Sequence, residues 1–170
     1  KLEFRPVILA SQSATAATDA TGGSEAAVEP SAAPTDASDS NWVSGPVKAA
    51  FDALDCATSF RQPGQVDDPA QPLVTCDVNG FEKYVLGPVE IQGSNIADAN
   101  AGTVTTSTGA ATNTWAVNLD FDATGTKQFA DVTGRLFPQA EPKNRFAVTL
   151  DGYVITAPTT NAVITAGSAQ

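Results

Sequence analysis

The chain contains no histidine and no methionine, and only 16% of its 170 residues are charged. Histidine is the commonest general base and the commonest metal ligand, so its absence disfavours hydrolytic triads and zinc sites. Any catalysis would depend on carboxylates alone. We therefore expect a protein that is not an enzyme and that binds no metal and no cofactor.

Basic residues are also scarce, with 9 lysines and arginines against 19 acidic residues and a formal net charge of −10. Nucleic acid and anionic lipid surfaces would repel such a chain. No apolar run approaches the roughly 20 residues that span a bilayer, so we expect the chain as given to be soluble. It opens without methionine and in mid-strand at Lys1-Leu-Glu-Phe-Arg-Pro-Val-Ile-Leu9, which suggests a fragment whose membrane segments would lie outside it.

Residues 10–41 differ in composition from the rest of the chain. They include ten alanines and five acids, no lysine, arginine or aromatic residue, and Val28 as the one large aliphatic side chain. Such a segment cannot bury enough apolar surface to offset the entropy of ordering it. We predict a disordered acidic linker over 10–41, preceded by a strand over 1–9 and followed by a single folded domain over 42–170.

The most informative segment is a hairpin near the C-terminus. Phe146, Val148 and Leu150 alternate with smaller residues, and Asp151-Gly152 supplies a two-residue type I′ turn before the return strand. Pairing across this turn sets Leu150 opposite Tyr153 and Val148 opposite Ile155, so that one apolar face lies on a core. Ala157-Pro158 ends the strand, because proline donates no ladder hydrogen bond.

Helix and strand patterns alternate through the remaining sequence. Ser44 and Pro46 predict a helix that runs into Cys56, and 83–91 reads as a strand interrupted at Gly87-Pro88. Further segments, in order, are a short turn or one-turn helix over 96–99, a strand over 103–108, a turn over 109–113, a strand over 115–121, and a helix capped by Asp122 or Thr124 with Phe129, Val132 and Leu136 as its apolar stripe. This order predicts an α+β fold, with a mixed or antiparallel sheet, helices packed on one face and long irregular loops.

Two cysteines, Cys56 and Cys76, lie 20 positions apart and enclose a loop rich in proline, glycine and aspartate. The even count and the loop-rich composition favour a disulfide between them, which would stabilise the fold by about 3 kcal/mol. The alternative is a pair of free buried thiols in a cytosolic protein.

Three acidic patterns suggest chemistry. Asp120-Phe-Asp122-Ala-Thr124 matches the D-x-D-x-T loop of a phosphatase nucleophile, but too few residues follow for the parallel sheet of such enzymes. We therefore interpret Asp120 as a solvent-facing strand residue and Asp122 as a helix cap. Asp77-Val-Asn-Gly80 and Asp67-Asp68 lack the alternating ligands of a calcium loop, so a turn and a solvated loop explain them.

Together these pieces resemble the extracytoplasmic region of SecD, a subunit of the bacterial protein-export translocase. The matching pieces are Leu2-Glu-Phe-Arg5, Leu86-Gly-Pro88, Gly93, Ile96-Ala-Asp-Ala99, Val117 to Phe121, Gly125, Phe129, Thr133, Leu150-Asp-Gly-Tyr-Val-Ile-Thr-Ala-Pro158, Ile164 and Gly167. The acidic linker and the cysteine loop are not part of this pattern, although an alanine-rich acidic insert suits an actinobacterial member.

The resemblance implies the head subdomain of the first extracytoplasmic domain, with 1–9 leading in from the base subdomain. It implies a translocase accessory that contacts the emerging unfolded preprotein late in proton-driven export, at the outer face of the cytoplasmic membrane. SecF and the SecYEG channel would be partners of the membrane-embedded parent. Leu150, Asp151, Gly152, Ala157 and Pro158 transfer as markers of fold, while a cell-surface adhesion module remains the alternative function.

Overall fold

The computed structural model of the chain describes residues 1–13, 32–59, 61, 65–105 and 111–169, with the backbone alone at 101–105 and 111–117. Two short 3-10 turns lie at Ser40–Trp42 and Gly93–Asn95. The strands and helices of the described ranges are β1 (Leu2–Gln12), α1 (Gly45–Ala53), β2 (Leu73–Cys76), β3 (Glu82–Leu86), β4 (Ile91–Gln92), β5 (Ile96–Thr105), β6 (Ala111–Phe121), α2 (Ala123–Leu136), β7 (Phe146–Leu150), β8 (Tyr153–Thr156) and β9 (Ser168–Ala169).

The larger sheet has the strand order β2-β3-β1-β7-β8, with the short β4 also pairing with β1, and all of these pairings are antiparallel. It curls until its two edge strands meet. The backbone N–H of Val78 donates to the carbonyl of Val154 at 2.9 Å, and Asp77 forms a parallel bridge with Val154. We call this curled sheet the half-barrel, and it confirms the predicted α+β class with an antiparallel sheet.

β1 is the central strand of the half-barrel, so the boundary predicted at residue 9 lies inside a continuous strand that runs to Gln12. Arg5, in the middle of this strand, is fully buried. Its guanidinium donates to the carbonyl oxygens of Gln71 at 2.9 Å and Gly87 at 3.0 Å, and to the carboxylate of Glu3. The first strand is thus tied by backbone and side chain into the same folded unit as β3 and β7.

The predicted hairpin forms, with one correction of register. Asp151 and Gly152 have φ values of 49° and 82°, as a type I′ turn requires, and Leu150 pairs with Tyr153. Beyond that pair a bulge sets Val148 opposite Thr156, so the predicted pairing of Val148 with Ile155 is wrong. The bulge adds one residue on β8, which ordinary alternation does not reveal.

The half-barrel buries apolar side chains on both of its faces. The alternation in the hairpin had predicted that only one face would be buried. We call the set inside its curve the inner cluster, which consists of Val7, Leu73, Tyr84, Leu86, Ala147 and Val154. We call the set on the other face the outer cluster, which consists of Phe4, Ile91, Phe121, Phe129, Val132, Leu136 and Phe146. Leu150 and Ile155 of the predicted apolar face are instead about half exposed, while Val154 between them is buried.

Both helices lie on the outer face of the half-barrel, as predicted. The helix α2 packs Phe129, Val132 and Leu136 into the outer cluster, and the Asp122 side chain caps it by accepting from the Gly125 N–H at 2.7 Å. The helix α1 ends at Ala53, three residues before Cys56. None of the helices that the structure describes has the length and apolar content needed to cross a bilayer.

A second sheet, in the order β5-β6-β9, faces the half-barrel across the outer cluster. It corrects two predictions, because 96–99 forms the start of β5 rather than a turn or one-turn helix, and 111–113 belongs to β6 rather than to a turn. Residues 106–108 of the predicted strand and 109–110 of the predicted turn lie outside the described residues. The strand over 115–121 is confirmed.

Two parts of the segment 10–41, predicted as a disordered linker, are ordered in the structure. Residues 10–12 belong to β1, and 32–41 pack on the folded domain, while 14–31 lie outside the described residues. A Cβ at Gly87 would overlap the carbonyl oxygen of Ala37, so the two backbones are in direct contact. Ser38 is buried, and its hydroxyl accepts from Nε of Arg135 on α2 at 2.8 Å. The sequence analysis also failed to predict β2, because this strand lies in a segment that was interpreted as an irregular cysteine loop.

Candidate functional site

An apolar cleft of about 350 Å³ opens between the half-barrel and the three-stranded sheet. Apart from Thr156, every side chain that lines it is apolar. The half-barrel supplies Leu2, Phe4, Phe146, Val148, Ile155, Thr156 and Pro158; the three-stranded sheet supplies Ala99, Leu119, Phe121 and Ala169; and α2 supplies Phe129. The cleft is thus the open end of the outer cluster.

Four phenylalanine rings in mutual contact form its packed wall. The ring centroids of Phe121 and Phe129 lie 4.8 Å apart, and those of Phe4 and Phe146 lie 5.9 Å apart, both pairs stacked. Phe4 also meets Phe121 edge to face at 5.8 Å. Each ring is at least nine-tenths buried. Because aromatic rings hold few conformations and these hold one another, this wall offers a preformed apolar surface.

The mouth of the cleft is formed by β8. Ile155 lies at the bulge between β7 and β8, where the extra residue turns its side chain away from strict alternation, and it remains 45% exposed. No lining residue carries a titratable group. The cleft can therefore bind apolar side chains, each of which gains about 1.5–3 kcal/mol on full burial, but it supplies no acid or base.

The hairpin motif makes contacts within the fold, and its last residue also reaches the cleft. The carbonyl of Gly152 accepts from the Thr75 hydroxyl at 2.5 Å, and that of Ala157 accepts from Arg145 Nε at 2.8 Å. Asp151 lies in the exposed turn beside the half-exposed Leu150. Pro158, however, lines the cleft, so the end of the motif also shapes the candidate site.

A polar network closes one end of the half-barrel. Arg145 donates from Nη1 to Oε1 of Glu82 at 2.8 Å and from Nη2 to the Tyr84 hydroxyl at 3.2 Å, and its guanidinium lies 5.5 Å from the Tyr84 ring centroid. The hydrogen bond from Arg145 lowers the pKa of Glu82, and burial raises the pKa of Tyr84 to about 12. The network links β3 to the start of β7 and is structural.

Cys56 and Cys76 form the predicted disulfide, which joins the loop that follows α1 to the end of β2. A second, more open cavity of about 410 Å³ lies beside it, with Val78 and Phe81 among its lining residues. These two side chains are 54% and 72% exposed. The sequence analysis did not indicate this cavity, since Val78 was interpreted as part of a turn.

Apart from Asp67, whose side chain is only 17% exposed rather than solvated, the acidic residues of these motifs have the structural roles that we expected. Asp120 is exposed on β6, and Asp122 caps α2, where the hydrogen bond from the Gly125 backbone lowers its pKa. Asp77 accepts from the backbone N–H of Phe81 at 2.6 Å in its turn. Asp67 pairs with Arg61, and Asp68 accepts from the Ala70 N–H at 2.9 Å. Among the described residues, no group of three or more such side chains is placed to hold a metal ion.

Comparison with known families tests the resemblance that the sequence suggested. A sequence model of the family described as SecDF, P1 head subdomain, matches residues 72–170. The chain belongs to the SecDF P1 head family. This match favours the translocase resemblance over the adhesion alternative. The matched range contains β2 to β9 and α2, and residues 1–71, with β1 and α1, lie outside it.

The curated relatives that the chain matches are subunits of protein translocases. SecD of Streptomyces coelicolor is 34% identical over 71% of this chain and 21% of its own length. SecD of Mycobacterium tuberculosis is 32% identical over 71% of this chain and 19% of its own length, consistent with an actinobacterial member. SecD of Acetobacter pasteurianus is 37% identical over 51% of this chain and 15% of its own length. The chain thus spans about a fifth or less of these relatives.

Two solved structures are similar to the chain. A crystal structure of SecDF in its super-membrane-facing form gives a TM-score of 0.43 at 24% identity, covering 99% of this chain and 16% of that one. A structure of SecDF, described as a membrane component that enhances protein export, gives a TM-score of 0.44 at 23% identity. The match covers 99% of this chain and 52% of that one.

Proposed function

We propose that the chain is the extracytoplasmic head of a SecD-type subunit, and that it assists preprotein export by holding apolar side chains of the emerging polypeptide in the cleft. The observation that carries this proposal is the cleft itself, a preformed apolar surface with an open mouth at Ile155. A folded partner would hide the apolar side chains that the cleft requires. An unfolded polypeptide exposes them throughout its length.

The dimensions and charge of the molecule agree with such a partner. The volume of about 350 Å³ lies at the low end of the roughly 300–1,000 Å³ range of small-ligand sites, so it holds a few side chains of an extended segment. Its walls bind through apolar contact, which discriminates weakly between sequences. The net charge of −10 favours segments that carry lysine or arginine beside their apolar residues.

Membership of the family supports a wider proposal about context. The parent protein would be embedded in the cytoplasmic membrane, with this head on the outer side, where a Cys56–Cys76 disulfide is chemically stable. SecF and the SecYEG channel would be its partners, and proton-gradient-driven movement would originate in parts of the parent beyond this chain. The head itself would act by binding, without catalysis or cofactor.

The test is a titration of the isotope-labelled chain with an unfolded secretory polypeptide, followed by backbone amide shifts in NMR spectra. We expect a contiguous set of shifts at the cleft. Ile155→Asp places a charge at the mouth and should weaken binding at least about tenfold, which corresponds to about 1.4 kcal/mol. Because Ile155 is half exposed, its replacement should change stability little.

Val163→Asp is the matched control, because Val163 is 48% exposed and lies away from the cleft, beside Gly134 of α2. It should bind the polypeptide like the original chain. Equal binding by all three proteins, or shifts confined to residues outside the cleft, would contradict the proposal.

A further inference from the structure

The strand β5 presents a long free edge next to the cleft. It runs from Ile96 to Thr105 and pairs with β6 along one side, while the part of the chain that the structure describes places no strand on its other side. A free edge exposes backbone N–H and C=O groups that can pair with another extended chain. The side chains of Ala97, Ala99 and Asn100 are exposed and short, so they leave this edge accessible.

The pairing of β6 with β9 shows which of its backbone groups face β5. The N–H of Phe121 donates to the carbonyl of Gly167 on the β9 side at 2.8 Å, and Leu119 pairs with Ala169 in the same register. Backbone groups of successive strand residues point to opposite edges. Asp120, which lies between Leu119 and Phe121, therefore directs its N–H and C=O toward β5.

The same alternation identifies the free groups of β5. Asp120 lies opposite Asp98, so the backbone groups of Asp98 are used in the β5–β6 ladder. The next residue, Ala99, lies opposite Leu119 and directs its N–H and C=O to the free edge, and Ala101 does the same two residues later. An added strand would find its first hydrogen-bonding partners at these two alanines.

The two faces of this sheet differ in chemistry. Ala99 lines the cleft together with Leu119 and Phe121. On the opposite face, the exposed carboxylates of Asp98 and Asp120 lie on directly paired residues, an arrangement of like charges that destabilises a sheet. Among the described residues, no lysine or arginine forms a salt bridge with either carboxylate.

We propose that an extended segment of unfolded polypeptide adds to β5 as a further strand, with its apolar side chains turned to the cleft and a lysine or arginine beside Asp98 and Asp120. This inference rests on the proposed function and specifies its binding mode and substrate class. Main-chain hydrogen bonds supply affinity without sequence preference, and alternate side chains select segments in which apolar and basic residues alternate. The cleft and the free edge are continuous because Ala99 belongs to both.

The probe is a capped ten-residue peptide of alternating lysine and valine, titrated into the isotope-labelled chain. Hydrogen exchange at the Ala99 and Ala101 amides should slow at saturation, and a Glu-Val peptide of equal length should bind at least tenfold more weakly. D98N/D120N should lose most of this preference between the two peptides. Ala99→Pro removes an edge N–H without removing a β5–β6 hydrogen bond, and it should weaken binding about tenfold.

Two further Lys-Val peptides, N-methylated at every valine or at every lysine, test the backbone bonds without altering the protein. One of the two should lose binding, because only one edge of the added strand faces β5. If all peptides shift cleft residues such as Ile155 equally while exchange at Ala99 and Ala101 is unchanged, strand addition is wrong and the cleft proposal stands. If no peptide shifts any residue, both proposals fail. Protection of the same amides in a peptide-free dimer would show that the edge pairs with a second copy, and would overturn the inference.

Discussion

The inner cluster and the cleft are both apolar and lie on opposite faces of β1, but only the inner cluster is closed. Val7, Leu86 and Val154 are at most 1% exposed, whereas Ile155 at the mouth of the cleft is 45% exposed. The inner cluster is closed by the meeting of the end of β2 with β8 and by the Arg145 network. Nothing comparable closes the cleft among the described residues.

This difference separates the residues that hold the fold together from those available to a partner. A sealed cluster contributes its full burial to stability and offers no surface for binding. An open cleft leaves part of its apolar surface in water, which costs stability unless a ligand covers it. We therefore expect substitutions in the inner cluster to act on unfolding, and substitutions around the cleft to act mainly on polypeptide binding.

The largest expected effect comes from Leu86→Ala in the inner cluster. Leu86 is fully buried, so its truncation should lower the free energy of unfolding by about 2–5 kcal/mol. Leu119→Ala at the partly buried wall of the cleft should cost about half as much, because less of its side chain leaves the apolar interior. Urea unfolding measures both. Peptide affinity should fall for Leu119→Ala alone, and equal losses of stability would contradict the comparison.

Removal of the disulfide should have the next largest effect. Replacing Cys56 and Cys76 together by alanine should lower the free energy of unfolding by about 3 kcal/mol, because the closed loop no longer restricts the unfolded chain. Replacing both residues avoids a free thiol. Thermal unfolding of the double variant, with the oxidised chain as reference, measures the loss. Unchanged NMR shifts at Phe121 and Ile155 would confirm that the cleft does not depend on this closure.

The sequence predicted the parts of this molecule whose contacts are local. The type I′ turn, the Asp122 cap and the stripe of α2 each depend on residues a few positions apart, and all three are confirmed. The prediction for the start of β5 was wrong because the small residues over 96–99 resemble a turn. Pairing with β6, which is not visible in the local sequence, decides their conformation. The bulge at Ile155 and the curl of the sheet arise from contacts between distant strands, which alternation does not encode.

The candidate site was harder to predict for the same reason. Its walls come from six strands and α2, and no motif marks them. Phe121, Phe129 and Phe146 each appeared on the apolar face of a separate element, and Phe4 only as part of the first strand. Their convergence on one cleft depends on the packing of two sheets. Pro158 was recognised as the end of a strand and as a marker of fold, and its place in the cleft became visible only in the structure.

A smaller effect should come from the turn that closes the hairpin against the cysteine loop. Gly152 has φ of 82°, and a Cβ there would overlap the guanidinium of Arg61. Gly152→Ala should therefore lower the free energy of unfolding by about 1–2 kcal/mol, part of it from backbone strain. In an Arg61→Ala background the cost should fall to the strain alone. Gly134→Ala, at a helical glycine where a Cβ would meet only the Val163 side chain at an ordinary 3.8 Å, should instead raise stability by up to about 1 kcal/mol, so urea unfolding should give opposite signs.

The smallest expected effect is a change in pH dependence, and it separates two carboxyl groups. The hydrogen bond from Arg145 lowers the pKa of Glu82 below its ordinary value of 4.5, so the folded state binds this proton less tightly than the unfolded chain. Its stabilisation is complete above pH 4.5 and is lost as pH falls through the lowered pKa. Burial raises the pKa of Glu90 despite its pairing with Arg135. Its contribution therefore has the opposite sign: it is complete below pH 4.5 and is lost as pH rises through the raised pKa.

Glu82→Gln and Glu90→Gln test this opposition, with urea unfolding measured from pH 3 to pH 7. Glu82→Gln should be less stable than the original chain at pH 7. This difference in stability should narrow as pH falls, because a protonated Glu82 in the original chain also loses its ion pair with Arg145. The stability of Glu90→Gln relative to the original chain should rise with pH, because the glutamine cannot ionise in its buried position. Parallel pH profiles for the two variants would mean that the Arg145 network does not close the inner cluster as its geometry indicates.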